Sequence, residues 1–145
     1  MGDIELTEAE IQEGLLRLPE LAAMAVVKLG PRSDVEFGLN RASVAWVEGY
    51  IERERERRGP DGEVDGTINV LGAFLGECIR AAVSADWLWD EYQQDWGLAL
   101  AAGGRVFPMG KVFRQYHSGL ASGESILSFY DVVVDFLAKG KLPTL

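Results

Sequence analysis

The stretch that most constrains this chain is 68–83, INVLGAFLGECIRAAV. Apolar residues recur at Ile68, Leu71, Leu75, Ile79 and Ala82. That three-then-four spacing marks one face of a helix. Ala73, Phe74, Cys78 and Ala81 widen the stripe, so the spacing predicts a buried helix over about 67–83 with more than one neighbour. Gly72 and Gly76 lie one turn apart, and each costs about 1 kcal/mol in a helix interior relative to alanine. The return expected for that cost is a flat strip where another backbone approaches closely. A ligand pocket beside Gly72, Gly76 and Glu77 is the alternative use of the same strip. No Gly-Lys-Ser/Thr follows, so the glycines are not a phosphate loop. Glu77 is the one acid in the stretch, and Arg80 can reach it on the same helix.

Around this helix the chain reads as one domain over 1–145, within the size of a single core. N-terminal helices are expected over about 7–58. Thr7 with Glu10 forms a capping box, and Pro19 is expected to end the first helix or open the next. Gly30-Pro31 stops that second helix. Ser33 with Glu36 repeats the capping signal before a helix with Val35, Leu39, Ala42, Trp46 and Tyr50 on one face. Residues 52–58, ERERERR, interleave both signs and read as a solvated helix end. Residues 59–66, GPDGEVDG, read as a loop whose spacing fails the calcium-loop pattern.

After Val83 the period changes from helical to alternating. A three-stranded antiparallel meander is expected over about 86–108, with turns at 93–95 and 102–104. C-terminal helices follow over about 109–139. Val112, Phe113 and Tyr116 are expected inward on the first, and Ser122 is expected to cap the last, which carries Ile126, Tyr130, Val133 and Leu137. The fold class is therefore α+β: a mostly helical domain with a small antiparallel sheet.

The chemistry on offer is narrow. His117 is the only histidine and Cys78 the only cysteine, so neither a multi-histidine metal site nor an intrachain disulfide forms. A thiol inside the apolar helix is expected to be inert, which argues against a Cys78–His117 dyad. No catalytic motif is recognisable; no cofactor, metal or catalytic residue is assigned. The formal net charge of −9 disfavours nucleic acid and suits a basic protein partner. The N-terminus lacks signal-peptide order and no apolar run would span a bilayer, so a cytoplasmic protein without membrane contact is expected.

The most unusual composition is 86–96, DWLWDEYQQDW: three Trp, one Tyr and four acids without a base. A meander buries one face, so part of these aromatics belongs to the core. The functional reading is a contact patch of Asp86, Trp89, Asp90, Glu91, Tyr92 and Asp95. Lysine at Asp90 and Asp95 is then expected to abolish partner capture without unfolding the chain. A self-complementary aromatic patch would instead make a homodimer.

LGAFLGECIR, the Trp-containing hairpin and FPMGKVFRQYHSG together resemble small bacterial domains of unknown function. These combine a G-x-x-L-G-E helix, a Trp-containing strand pair, a proline and a closing helix. The resemblance spans about 68–137 and rests on Gly72, Leu75, Gly76, Glu77, Trp87, Pro108 and Gly119. It implies no catalytic residues. By type, it places the chain beside small acidic immunity proteins that neutralise toxins. The expected function is thus a non-enzymatic interaction domain of immunity or inhibitor type, with a small-ligand or enzymatic domain as the alternative.

Overall fold

The computed structural model describes residues 3–59 and 65–141. Among the described residues five α-helices pack together with a three-stranded sheet. The order is α1 (Glu8–Leu29), α2 (Arg41–Arg58), α3 (Asp65–Ala82), β1 (Ala85–Asp90), β2 (Asp95–Leu100), β3 (Arg105–Val106), α4 (Pro108–Ser118) and α5 (Ile126–Asp135). The strands form an antiparallel meander in the order β1-β2-β3. The α+β class expected from the sequence is the class observed. The loop reading of GPDGEVDG falls mostly on 60–64, outside the described residues, as does the end of the tail.

The helix α3 is the centre of the molecule. Leu71, Ala73, Phe74, Leu75, Cys78 and Ile79 are almost wholly buried, each large side chain contributing roughly 1.5–3 kcal/mol of burial. Its final turn departs from the expected stripe: Ala81 and Ala82 are exposed, because the chain there turns away into β1. The glycine strip receives close neighbours, as its spacing suggested. A Cβ built on Gly72 would stand 2.8 Å from the Met109 Cα, so the glycine lets the start of α4 lie against α3. A Cβ on Gly76 would stand 2.1 Å from the Trp87 ring. Met109 and Trp87 therefore occupy the strip.

Three local signals were overridden, one by tertiary packing and two by competing caps. Pro19 lies inside α1, which runs unbroken for 22 residues. The lost backbone hydrogen bond costs about 3 kcal/mol. Leu18, Ala22, Ala25 and Leu29 straddle Pro19 and are buried in the core that α1 builds chiefly with α3, which holds both halves in line. Ser33 does not open a helix; it closes the short 3-10 turn Gly30–Arg32, its hydroxyl donating to the Gly30 carbonyl at 2.9 Å with the Val35 carbonyl at 3.2 Å as a second, shared acceptor. The α2 helix starts later, at Arg41, with the Asn40 side chain accepting from the Ser43 N–H. Its buried face is Ser43, Val44, Val47 and Ile51, whereas Leu39 and Ala42 are exposed. Likewise Ser125, not Ser122, caps α5.

The charged end of α2 is also more than a solvated tip. Glu54 does pair locally with Arg57 and Arg58. Glu48, Glu52 and Arg55, however, hold the α4–α5 connection. The Glu48 carboxylate accepts from the Leu127 N–H at 3.0 Å and from the Ser125 hydroxyl. The Glu52 carboxylate accepts from the Leu120 N–H at 3.2 Å, and Arg55 Nε donates to the Tyr116 carbonyl at 2.7 Å. On α4, Val112 and Tyr116 face inward as expected, but Phe113 is exposed and stacks on His117. The buried residue there is Gln115. It bonds α2 and α5 at once: Nε2 donates to the Glu48 carbonyl and the Glu52 carboxylate, and Oε1 accepts from the Ile126 N–H.

Candidate interaction hairpin

The register of β1 on β2 pairs Trp87 with Leu98, Trp89 with Trp96 and Asp90 with Asp95. Alternation then sorts the aromatics. Trp87 enters the core, and its indole N–H donates to the Glu77 carboxylate at 2.9 Å. The same Glu77 oxygen accepts from Arg80 Nη1 at 2.8 Å, and Arg80 Nε reaches the Ala85 carbonyl. Glu77 is thus the anchor that ties β1 to α3. Trp89 and Trp96 meet edge to face across the strands, 5.4 Å between ring centres. The far side of Trp96 rests on Gly14 of α1. The Trp89 indole nitrogen is sealed from solvent and finds no acceptor among the described residues.

The tip, 91–94, is locked from three directions. Asp90 is buried, and its carboxylate accepts from the Gln93 N–H at 2.8 Å and from Arg105 Nη1 at 2.7 Å. Gln94 adopts the left-handed backbone at φ 55°, a conformation that costs a non-glycine residue about 1 kcal/mol. Its side chain offsets this by donating to the Glu91 carbonyl and accepting from the Ile4 N–H. The result is a rigid turn that projects Tyr92 into solvent at 92% exposure, with Glu91 exposed beside it.

The six patch residues expected from the sequence therefore divide. Tyr92, Glu91 and Asp86 are exposed. Trp89 is half-buried against Trp96. Asp95 is half-buried; burial raises its carboxyl pKa, and Oδ1 accepts from the Trp96 N–H. Asp90 is a structural acid, unavailable to a partner. Lysine at Asp90 would unmake the turn, so the expectation that Asp90 and Asp95 tolerate lysine is corrected. Only a long-range contact shows this: the base that neutralises Asp90 comes from β3, outside the acidic segment.

The Asp90 carboxyl lies below its ordinary pKa because the Gln93 N–H and then Arg105 stabilise its charged form. A depressed carboxylate adds stability above its unfolded value, near 3.9, and loses it as pH falls through the folded value. Asp90→Asn is accordingly expected to lower the melting temperature near neutral pH. The gap to wild type should close as pH drops from about 5 toward 3. A gap that stays constant across that range in a calorimetric pH series would refute the assignment.

The other candidate chemistries land elsewhere. The Cys78 thiol is wholly buried, and desolvation pushes its pKa up to about 12. His117 is on the surface against Phe113. Among the described residues there is no group of three metal-ligating side chains, and no helix long and apolar enough to cross a membrane. Beyond the filled glycine strip, an open groove of about 600 Å³ runs beside the end of α3, where Arg80, Val83, Asp86, Ala99 and Leu100 meet. No family model, curated protein or solved structure matches this chain.

Proposed function

We propose that the protein is a non-enzymatic interaction module that docks a basic protein partner through the tip of its β1–β2 hairpin. The single observation that carries this is Tyr92, 92% exposed on a turn pinned by Asp90, Arg105 and Gln94. A large aromatic on a rigid support loses little entropy on binding and anchors interfaces. Glu91 is exposed beside Tyr92 at the tip, and the net charge of −9 adds long-range attraction for a cation-rich surface. The class we assign is a small acidic protein of the immunity or inhibitor type, on the resemblance in type and on the charge. The filling of the strip over Gly72 and Gly76 by Met109 and Trp87 weighs against the small-ligand alternative at that place.

The test uses Tyr92→Ser and the double variant Glu91→Lys/Tyr92→Ser as baits in captures at low and moderate salt. Both positions are exposed, so stability is expected to stay within about 0.5 kcal/mol of wild type. Loss of an aromatic anchor worth about 2 kcal/mol weakens binding roughly 30-fold. The double variant should lose the partner, and wild-type capture should fade as salt rises. Equal recovery of the same basic protein by wild type and the folded double variant would sink the proposal.

A further inference from the structure

A cleft of about 370 Å³ opens where the start of β2, β3 and the first turns of α4 meet, with Phe129 of α5 in its wall. Asp95 lines it. The Asp95 Oδ1 accepts from the Trp96 N–H, whereas Oδ2 has no partner among the described residues. Half-buried and without a base, this carboxyl is held above its ordinary pKa by desolvation. Arg114 lines the same cleft. Its Nε lies 3.6 Å from Glu124 Oε2, an oxygen that Lys111 also holds. Two cations share one acid there, so one positive charge is left over.

Gly110 lies between Asp95 and Arg114. A Cβ built on it would stand 3.8 Å from Asp95 Oδ2 and 3.5 Å from Arg114 Nη1, yet the two side chains form no ion pair with each other. The absent side chain leaves a gap with an open acceptor on one side and a guanidinium on the other. Phe107, whose ring packs on Gly97, and Phe129 make the apolar part of the wall.

The charges decide what fits the gap. A small anion would meet Asp95, and a small cation would meet Arg114. Arg105, the other base in the wall, is already neutralised by Asp90. A molecule carrying both signs a few bonds apart satisfies Asp95 and Arg114 together and leaves neither desolvated charge unpaired. The ammonium and carboxylate of an α-amino acid are such a pair. An apolar side chain on the same molecule would lie along Phe107 and Phe129, as ligand sites combine an apolar wall with a few polar groups.

We infer that this cleft binds a free α-amino acid with an apolar side chain, its ammonium on Asp95 and its carboxylate on Arg114, over the floor that Gly110 leaves open. The inference is independent of the hairpin proposal.

Titration of the isotope-labelled full chain with L-phenylalanine, L-leucine and L-methionine, read by backbone amide chemical shifts, tests it. Saturable shifts at Trp96, Gly110 and Arg114 are expected for at least one of the three, with a Kd below about 1 mM. For the tightest of them, the analogue lacking the carboxylate and the analogue lacking the ammonium should each bind at least tenfold more weakly. Gly110→Ala brings no contact closer than 3.5 Å and replaces a helical glycine, so it should fold with an equal or higher melting temperature and yet lose the shifts. Asp95→Asn keeps an acceptor for the Trp96 N–H but removes the charge. It should reverse the preference, so that the analogue lacking the ammonium binds more tightly than the amino acid. Tyr92→Ser should leave the titration unchanged, so the two proposals fail separately. Absence of saturable shifts for all three amino acids up to about 10 mM overturns the inference. So does equal binding by the folded Gly110→Ala variant, equal binding of the analogues with one charge, or shifts confined to the groove beside the end of α3.

Discussion

Gly76→Ala is expected to destabilise the protein by about 2 kcal/mol, although alanine is the better helix former. The propensity gain is about 1 kcal/mol. Against it, the new methyl would stand 2.1 Å from Cζ2 and 2.2 Å from Cη2 of Trp87. A rigid, buried indole cannot yield at one edge without moving at the other. Its N–H is held by Glu77 at 2.9 Å, and Glu77 in turn holds Arg80. Relief of the clash therefore breaks a charge-assisted hydrogen bond or displaces β1. Overpacking costs about 1–3 kcal/mol and loss of such a bond about 1.5–3. Gly66→Ala is the control: it adds the same methyl to the same helix with nothing within 4 Å. It should be neutral or gain a few tenths of a kcal/mol. Denaturant titrations of the pair decide the matter. Equal stabilities would mean that the indole yields freely and that the glycine carries no packing role. Trp87 near-ultraviolet dichroism should change only in Gly76→Ala.

Replacing Gln115 by methionine should cost about 3 kcal/mol, despite nearly conserved volume and a higher hydrophobicity. The side chain is wholly buried and satisfies three groups on two other helices, α2 and α5. Without it the Ile126 N–H loses its acceptor and the Glu48 carbonyl and Glu52 carboxylate lose a donor. Each buried unsatisfied group costs about 1–3 kcal/mol. Gln115→Glu sharpens the test. It keeps an acceptor for Ile126 but sets a carboxyl against the Glu48 carbonyl and the Glu52 carboxylate. That carboxyl must hold a proton in the folded state, so its folded pKa is raised. Its contribution is then present below the ordinary glutamate value, near 4.3, and is lost as pH rises. The Asp90→Asn difference runs the opposite way, fading as pH falls. Thermal melts of Gln115→Met within 1 kcal/mol of wild type would show that the α2–α4–α5 junction closes by packing alone.

The extents of legibility differ by element. The central helix was readable because its period is long and nearly unbroken, and its neighbours at Gly72 and Gly76 followed from a local cost that needs a local reason. The meander was readable from alternation and turn residues. The α1 capping box and the Glu77–Arg80 pair span three residues, and short range is where pattern is dependable. Pro19, Ser33 and Ser122 misled for a shared reason. Each signal is worth only one to three kcal/mol, and the burial of Leu18, Ala22, Ala25 and Leu29, or a competing cap at Asn40 or Ser125, outweighs it.

The candidate site shows the same division. Its location, an aromatic and acidic hairpin, lay in composition. Its working residues did not. Asp90 and Glu91 are neighbours with the same charge type, yet one is buried under Arg105 and the other open to solvent. Glu52 and Glu54 belong to one charge run, yet one holds the α4–α5 connection and the other pairs locally. By itself the sequence determined the elements, their order, the centre of the core and the sign of the surface, because periodicity, capping and net charge are local or additive. Only the tertiary structure decided which acids are structural and which hairpin aromatic stands exposed. Those depend on partners 15 to 79 residues away, whose approach is set by the packing of the whole chain.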